Sequence, residues 1–258
     1  MVMGIKAIRK IRKIIYERIS WRSGEPLRIL DLGCGKGAFT NSLANIPQVE
    51  VYGTDIDQRS IEHARSQDRT RQAHYFVANL NQLSLKNQFD ILICTDVIEH
   101  MPDTKQFMCL LRSLLKSDGI LLLGVPNAWG PFELLSDLRG VVIQCIRFFR
   151  VKKLFSLIHR RMMRDISETQ SYNLGSPHVQ HFRLGSIVQL FRHSGFKITG
   201  VEPLSFIIVS LLMNTPLGVV CTPSSKLFIL FEKIDSILVD FVPRTLAGSW
   251  LFEIRKRA

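Results

Sequence analysis

Arg28-Ile29-Leu30-Asp31-Leu32-Gly33-Cys34-Gly35-Lys36-Gly37-Ala38-Phe39 joins an apolar run to an amphipathic one through three glycines. A basic lead-in ends at Gly24-Glu25-Pro26, and residues 27–32 read as a short buried strand. Residues 38–44 read as the helix that leaves the turn. Strand, glycine turn and helix make the first crossover of a nucleotide-binding α/β sheet. Glycine is needed because the turn visits φ > 0 and because side chains would hold a ligand off the backbone. The helix N-terminus then offers free N–H groups to a negatively charged group.

The pattern extends in both directions. Residues 49–54 read as a second strand ending in Asp55, at the distance where such sheets place the acid that holds ribose hydroxyls. A helix over 59–66 and strands over 74–78 and 90–95 follow. The spacing then predicts a helix over 104–115, a turn at Asp118-Gly119, and a strand over 120–125 stopped by Pro126. A helix over 184–193 halts at Gly195, strand 196–201 follows, and 250–255 reads as the last strand. Between these, residues 127–180 interleave Arg147, Arg150, Lys152 and Lys153 with Phe148, Phe149 and Phe155. Residues 204–221 are apolar but broken at Asn214-Thr215-Pro216, which argues against a membrane-spanning helix. Residues 227–242 look amphipathic. The expected organisation is a basic arm, 1–26, then one domain, 27–258, with insertions at about 128–180 and 204–245.

A chain of 258 residues, 46% hydrophobic, can bury one sizeable core. Five dispersed cysteines without CxxC spacing argue for reduced thiols in a cytosol-like compartment, and against a zinc ribbon or disulfide scaffold. The net charge of +12 suggests an anionic partner, phospholipid or nucleic acid. The arm carries Lys6, Arg9, Lys10, Arg12, Lys13, Arg18 and Arg22 against Glu17, with Ile5, Ile8, Ile11, Ile15 and Ile19 at helical spacing. It reads as a basic amphipathic helix, either docked on a membrane surface or packed over the sheet edge. It lacks the uninterrupted apolar region of a secretory signal, although a mitochondrial transit peptide has a similar look.

The third glycine falls at Gly37, one residue early for the dinucleotide pattern Gly-x-Gly-x-x-Gly. Asp31 with the glycines resembles motif I of the class I S-adenosylmethionine (SAM) methyltransferases, and Val51-Tyr52-Gly53-Thr54-Asp55-Ile56 resembles their acidic loop after strand two. Further blocks follow in family order at residues 89–100 and 114–127, at His181-Phe182 and at Ser194-Gly195-Phe196. Glu99-His100 after strand four and Pro126-Asn127 after strand five are similar to quinone-biosynthesis O-methyltransferases. The resemblance implies a Rossmann-like, seven-stranded, mostly parallel sheet with helices on both faces and helical insertions. It implies SAM as cofactor, with Gly33, Cys34, Gly35 and Gly37 in close backbone approach and Asp31 orienting the methionine amino end. Asp55 is then expected on the ribose hydroxyls and Ile56 on the adenine, with Asn79, Leu80 and Thr95 completing the contacts.

Asp96, Glu99 and His100 stand at i, i+3 and i+4 beyond a strand's carboxyl end, where such sheets bind ligands. In a helical turn that spacing gathers three side chains that could ligate a Mg-like divalent metal. The other reading makes His100 a general base or a packing residue. Glu99, His100 and His181 are the candidate catalytic groups. The expected activity is O-methylation of a small or lipid-like hydroxylated acceptor by an enzyme peripheral to a membrane. RNA 2′-O-methylation is an alternative that the basic charge fits, and a SAM-binding scaffold without catalysis is another.

Overall fold

Leu27–Leu32 (β1) is buried except at Arg28, and it lies between two parallel neighbours. A strand covered on both faces needs a continuous apolar run rather than alternation, which is how 27–32 reads. The structure is a computed structural model, and it describes residues 3–22, 24–79, 88–130, 179–206, 208 and 225–257. The other strands are Val49–Asp55 (β2), Ala73–Val77 (β3), Phe89–Thr95 (β4), Leu115–Pro126 (β5), Phe196–Ser205 (β6) and Ser249–Lys256 (β7). They form one seven-stranded, mostly parallel sheet in the order β3-β2-β1-β4-β5-β7-β6. Chain direction across the sheet reverses between β1 and β4, and right-handed crossovers therefore place the helices after β1 and after β4 on opposite faces.

Those helices are Ala38–Ala44 (α2) and Thr104–Leu114 (α4); Ile5–Ser20 (α1), Gln58–Gln67 (α3), Leu184–His193 (α5) and Lys226–Leu238 (α6) complete the set among the described residues. Local chemistry sets their starts. The Asp57 side chain accepts from the Ser60 N–H at 3.0 Å to cap α3, and Asp103 accepts from the Gln106 N–H at 2.9 Å to cap α4.

Two strands differ clearly from expectation: β6 runs on to Ser205 rather than stopping at 201, and β5 starts early. β5 begins at Leu115, not Ile120, because Leu115 pairs with Phe89 before the register jumps to Ile91–Ile120. Lys116, Ser117, Asp118 and Gly119 thus lie opposite Asp90 alone, a bulge within the strand. Gly119 permits it: a Cβ there would stand 2.7 Å from Leu115 Cδ1 and 3.1 Å from Phe89 O. The bulge carries Lys116 to 3.0 Å from Asp90 Oδ1, while Arg22 lies 2.8 Å from Oδ2 and the Arg28 N–H donates to it at 2.9 Å. Burial alone would raise the Asp90 carboxyl, but these three partners outweigh it and hold it below the usual range.

The chain divides into two compact units, one of residues 7–125, 171–202 and 251–258, the other of 1–6, 126–170 and 203–250. In the first, α1 buries Ala7, Ile11, Ile14 and Ile15, and Arg18 donates to the Asp118 carbonyl at 3.0 Å and its carboxylate at 2.9 Å. The inner apolar face of α1 is therefore core, while Arg9, Lys13, Tyr16, Glu17 and Trp21 are exposed. In the second unit, the Asn127 side-chain amide donates to Thr245 O at 2.9 Å and Ala247 O at 2.8 Å. Pro126-Asn127 thus braces the chain after β5. Of the expected insertions, residues 131–178 and 209–224 lie outside the described residues, as does Leu80. Among the described residues no helix is long and apolar enough to cross a membrane.

Candidate functional site

The carboxyl ends of the central strands finish level. Leu32 pairs with Thr54 on one side and Cys94 on the other, and Thr95 pairs with Gly124. This is the topological switch point of the sheet, where the crossovers diverge and leave a crevice. The glycine turn fills one side of it. Gly33, Gly35 and Gly37 have φ of 73°, 53° and 73°, a left-handed region that side chains disfavour. Space also excludes a side chain at two of them: a Cβ on Gly33 would stand 2.5 Å from Val97 Cγ2, and one on Gly37 2.5 Å from Ala64 Cβ. The turn is pinned from below, since the Gly33 and Cys34 N–H groups both donate to the Thr54 carbonyl, at 2.8 and 3.0 Å.

Asp55, buried at the end of β2, is oriented by two backbone donors. The Gly35 N–H reaches Oδ2 at 2.9 Å and the Asp57 N–H reaches Oδ1 at 2.9 Å. A carboxylate oxygen has two lone pairs, so an acid held in this way can accept further hydroxyl donors. The next residue, Ile56, is 62% exposed, an apolar side chain at the crevice rim. Asp31 is also buried, and the Thr40 hydroxyl donates to its Oδ2 at 2.6 Å. Burial pushes its carboxyl up to about 7; the Thr40 hydrogen bond opposes the rise and the nearby Asp55 charge adds to it. A cation beside Asp31 would restore the ionised form. Cys34 is partly buried, and burial together with Asp31 and Asp55 raises its thiol, which stays protonated.

The model of a family described as "Methyltransferase domain" matches residues 3–201. The chain belongs to this family. Its class I SAM-dependent methyltransferase fold is shared with solved structures, among them magnesium protoporphyrin IX methyltransferase from Synechocystis PCC 6803 with bound SAH. That structure is 16% identical, with a TM-score of 0.52 over 98% of this chain and 84% of the other. Two curated relatives are a malonyl-[acyl-carrier protein] O-methyltransferase from Bacillus anthracis and a ubiquinone biosynthesis O-methyltransferase from Bartonella quintana. The first is 28% identical over 40% of this chain and 38% of the relative. The second is 33% identical over 41% of this chain and 45% of the relative. This chain thus spans under half the length of either.

On this methyltransferase fold the second side of the crevice is the segment after β4. Thr95 is half-buried at the strand end. Asp96 follows at φ 54°, a left-handed conformation that is uncommon for a residue with a side chain and frequent near functional sites. Its N–H donates to the Gly124 carbonyl at 3.3 Å. A 3₁₀ turn, Ile98–His100, comes next, with Glu99 buried and His100 half-exposed. The N–H groups of Val179 and Gln180 both donate to the Glu99 carbonyl at 2.9 Å, which brings the backbone just before His181 against this turn. His181 itself is exposed.

The expected metal trio does not form. Among the described residues no three His, Cys, Asp or Glu side chains gather so as to hold a metal ion, and Asp96, Glu99, His100 and His181 are all described. The reason lies in the backbone. An α-helical turn would put i, i+3 and i+4 on one side, but Asp96 sits in a left-handed kink outside a tight 3₁₀ turn that buries Glu99. Asn79 lies exposed after β3. Thr40 and Tyr75 escaped the sequence reading. The Tyr75 hydroxyl donates to Asn41 Oδ1 at 2.7 Å and lies 3.3 Å from Gly37 O, bracing the last glycine. Thr40, the third residue of α2, had a sequence signal: a hydroxyl one turn past a glycine loop that follows an unpaired acid.

Proposed function

We propose that this chain binds SAM in the crevice between the ends of β1 and β4 and methylates an oxygen of a small hydroxylated acceptor. The observation that carries the reading is the Gly35–Asp55 hydrogen bond, which joins the left-handed glycine turn to a buried acid oriented for hydroxyl donors. The residues fit the cofactor. Asp55 accepts from the ribose hydroxyls, Ile56 offers its exposed side chain to the purine, and Asp31 faces the methionine ammonium, whose charge favours its ionised state. When bound, SAM supplies a methyl on a cationic sulfonium that an oxygen nucleophile attacks in line.

His100 takes the hydroxyl proton onto an imidazole nitrogen as the new C–O bond forms and the C–S bond breaks. His181, next in sequence after the Val179 and Gln180 N–H groups that bond the Glu99 carbonyl, is the second candidate imidazole. The names of the two curated relatives, both O-methyltransferases, support oxygen as the acceptor atom. The ubiquinone-biosynthesis relative supports an apolar, ring-bearing acceptor. The test is methyl transfer from radiolabelled SAM to a panel of hydroxylated aromatics with and without isoprenoid tails, beside a carboxylic acid and a short RNA. Labelled ether product is expected from the hydroxylated aromatics. Label confined to RNA or to the acid would overturn the acceptor class.

A further inference from the structure

Helix α6, Lys226–Leu238, runs directly into a 3₁₀ turn, Val239–Phe241. Its inner face is built as expected, with Phe228, Asp235 and Val239 buried. The opposite face of a surface helix is ordinarily charged. Here it is apolar: Leu227, Leu230, Ile234, Ile237, Leu238 and Phe241 are all exposed, Ile237 at 60% and Phe241 at 82%. Their spacing of three and four residues makes one stripe, roughly 20 Å long at the helical rise. Single exposed apolar side chains are ordinary, but a contiguous stripe marks a surface with an apolar partner.

The charges on this element are sorted by side. Every acid is engaged: Glu232 accepts the Ile5 N–H at 2.6 Å, and Asp235 accepts the Phe206 and Ile208 N–H groups, both at 2.8 Å. Asp240 is paired with Lys6. The cations Lys226, Lys233 and Arg244 are exposed, with the two lysines seven residues apart along one flank of the stripe. The outward surface is therefore apolar with cations beside it, and the one exposed acid of the element, Asp240, is neutralised by Lys6. A second copy docked symmetrically would bring these cations toward their own counterparts, which opposes association. An anionic bilayer complements both features. Its acyl boundary accepts the stripe, and its phosphates accept the lysines.

We propose that α6 and the turn after it form an in-plane anchor for anionic lipid surfaces. Ile237 and Phe241 insert at the headgroup boundary while Lys226, Lys233 and Arg244 meet lipid phosphates. The anchor is distinct from the basic arm, whose inner apolar face is already buried, and it does not depend on the methyl-transfer reading.

The test is flotation of the full chain with phosphatidylcholine vesicles, with and without phosphatidylglycerol. The wild type should float with the anionic vesicles and stay behind with the neutral ones. Ile237→Ser/Phe241→Ser should cut the bound fraction by roughly tenfold, since two apolar anchors are lost. Lys226→Ser/Lys233→Ser/Arg244→Ser should weaken binding similarly and flatten its salt dependence. All positions are exposed, and thermal melts and SAM calorimetry check that each variant remains folded. A wild type that ignores anionic vesicles at low salt would overturn the proposal, as would variants that float equally well. A lipid-free dimer seen by light scattering and dissolved by Ile237→Ser/Phe241→Ser would assign the stripe to a second copy instead.

Discussion

The Gly35 N–H donates to Asp55 Oδ2 at 2.9 Å, so the turn after β1 and the end of β2 are one piece of structure. The turn needs its glycine at φ 53° to aim that N–H, and the acid needs the N–H to keep its carboxylate fixed. Cofactor affinity should depend on both partners.

Asp55→Ala removes the proposed acceptor for the ribose hydroxyls and the Gly35 N–H partner that pins the turn. Hydrogen bonds to a charged group contribute about 1.5–3 kcal/mol each, so SAM affinity by calorimetry should fall by roughly ten- to a hundredfold or more. Gly35→Asp should weaken binding as well, through backbone strain and a second acid beside Asp55. Affinities equal to wild type in both variants would remove the cofactor assignment, provided thermal melts show that each protein is folded.

Asp31 predicts a pH dependence of unusual sign for a carboxylate. Its folded pKa is raised from an ordinary 3.8 to about 7, chiefly by burial. Between these values the native state holds a proton that the unfolded chain has released. The stabilising contribution is full below the lower value, declines as pH rises, and is gone above the upper one. Its size is on the order of a few kcal/mol. Melting temperature should therefore fall from pH 5 to pH 8 more steeply in wild type than in Asp31→Asn, which cannot titrate but can still accept from Thr40. SAM binding should show the opposite trend, tightening across the same window as Asp31 ionises beside the ammonium. Parallel melting curves in the two proteins would show that Asp31 does not titrate there.

The glycine-turn half of the candidate site was legible because its chemistry is local. Glycines at alternate positions and an acid at a strand end are backbone requirements, and β1, α2 and α5 have the boundaries that their residues imply. What escaped depended on cross-strand events. The bulge at 116–119 is set by how β5 meets Asp90, and no period within β5 announces it. The i, i+3, i+4 reading of Asp96, Glu99 and His100 assumed an α-helical turn, while the chain takes a left-handed backbone at Asp96, whose N–H donates to Gly124 O in β5, and then a 3₁₀ turn. The arm was legible as an amphipathic helix, but charge alone did not say that its inner apolar face is core. The reverse surprise is α6, whose acids turn inward and leave an apolar side outward.

In the proposed reaction, activation of the acceptor turns on His100. Among the described residues Asp96, Glu99 and His100 do not gather as a metal-binding group, and on the general-base reading EDTA should leave turnover unchanged while SAM remains bound. Removing the base should not. His100→Ala is expected to lower kcat by about a hundred- to ten-thousandfold, the usual worth of a positioned general base, with little change in SAM affinity. Its residual rate should climb with pH, because hydroxide or the ionised acceptor then substitutes for the missing imidazole. Glu99 should behave differently. Its side chain is buried, so Glu99→Gln, which replaces an interior carboxyl by a neutral amide of the same shape, should act first on the melting temperature, with only a modest loss of kcat. If chelation abolishes turnover and added Mg2+ restores it, the metal reading returns with ligands other than this trio. If His100→Ala retains full activity with or without chelator, neither scheme holds, and the proton leaves the acceptor by another route, with His181→Ala the next variant to measure.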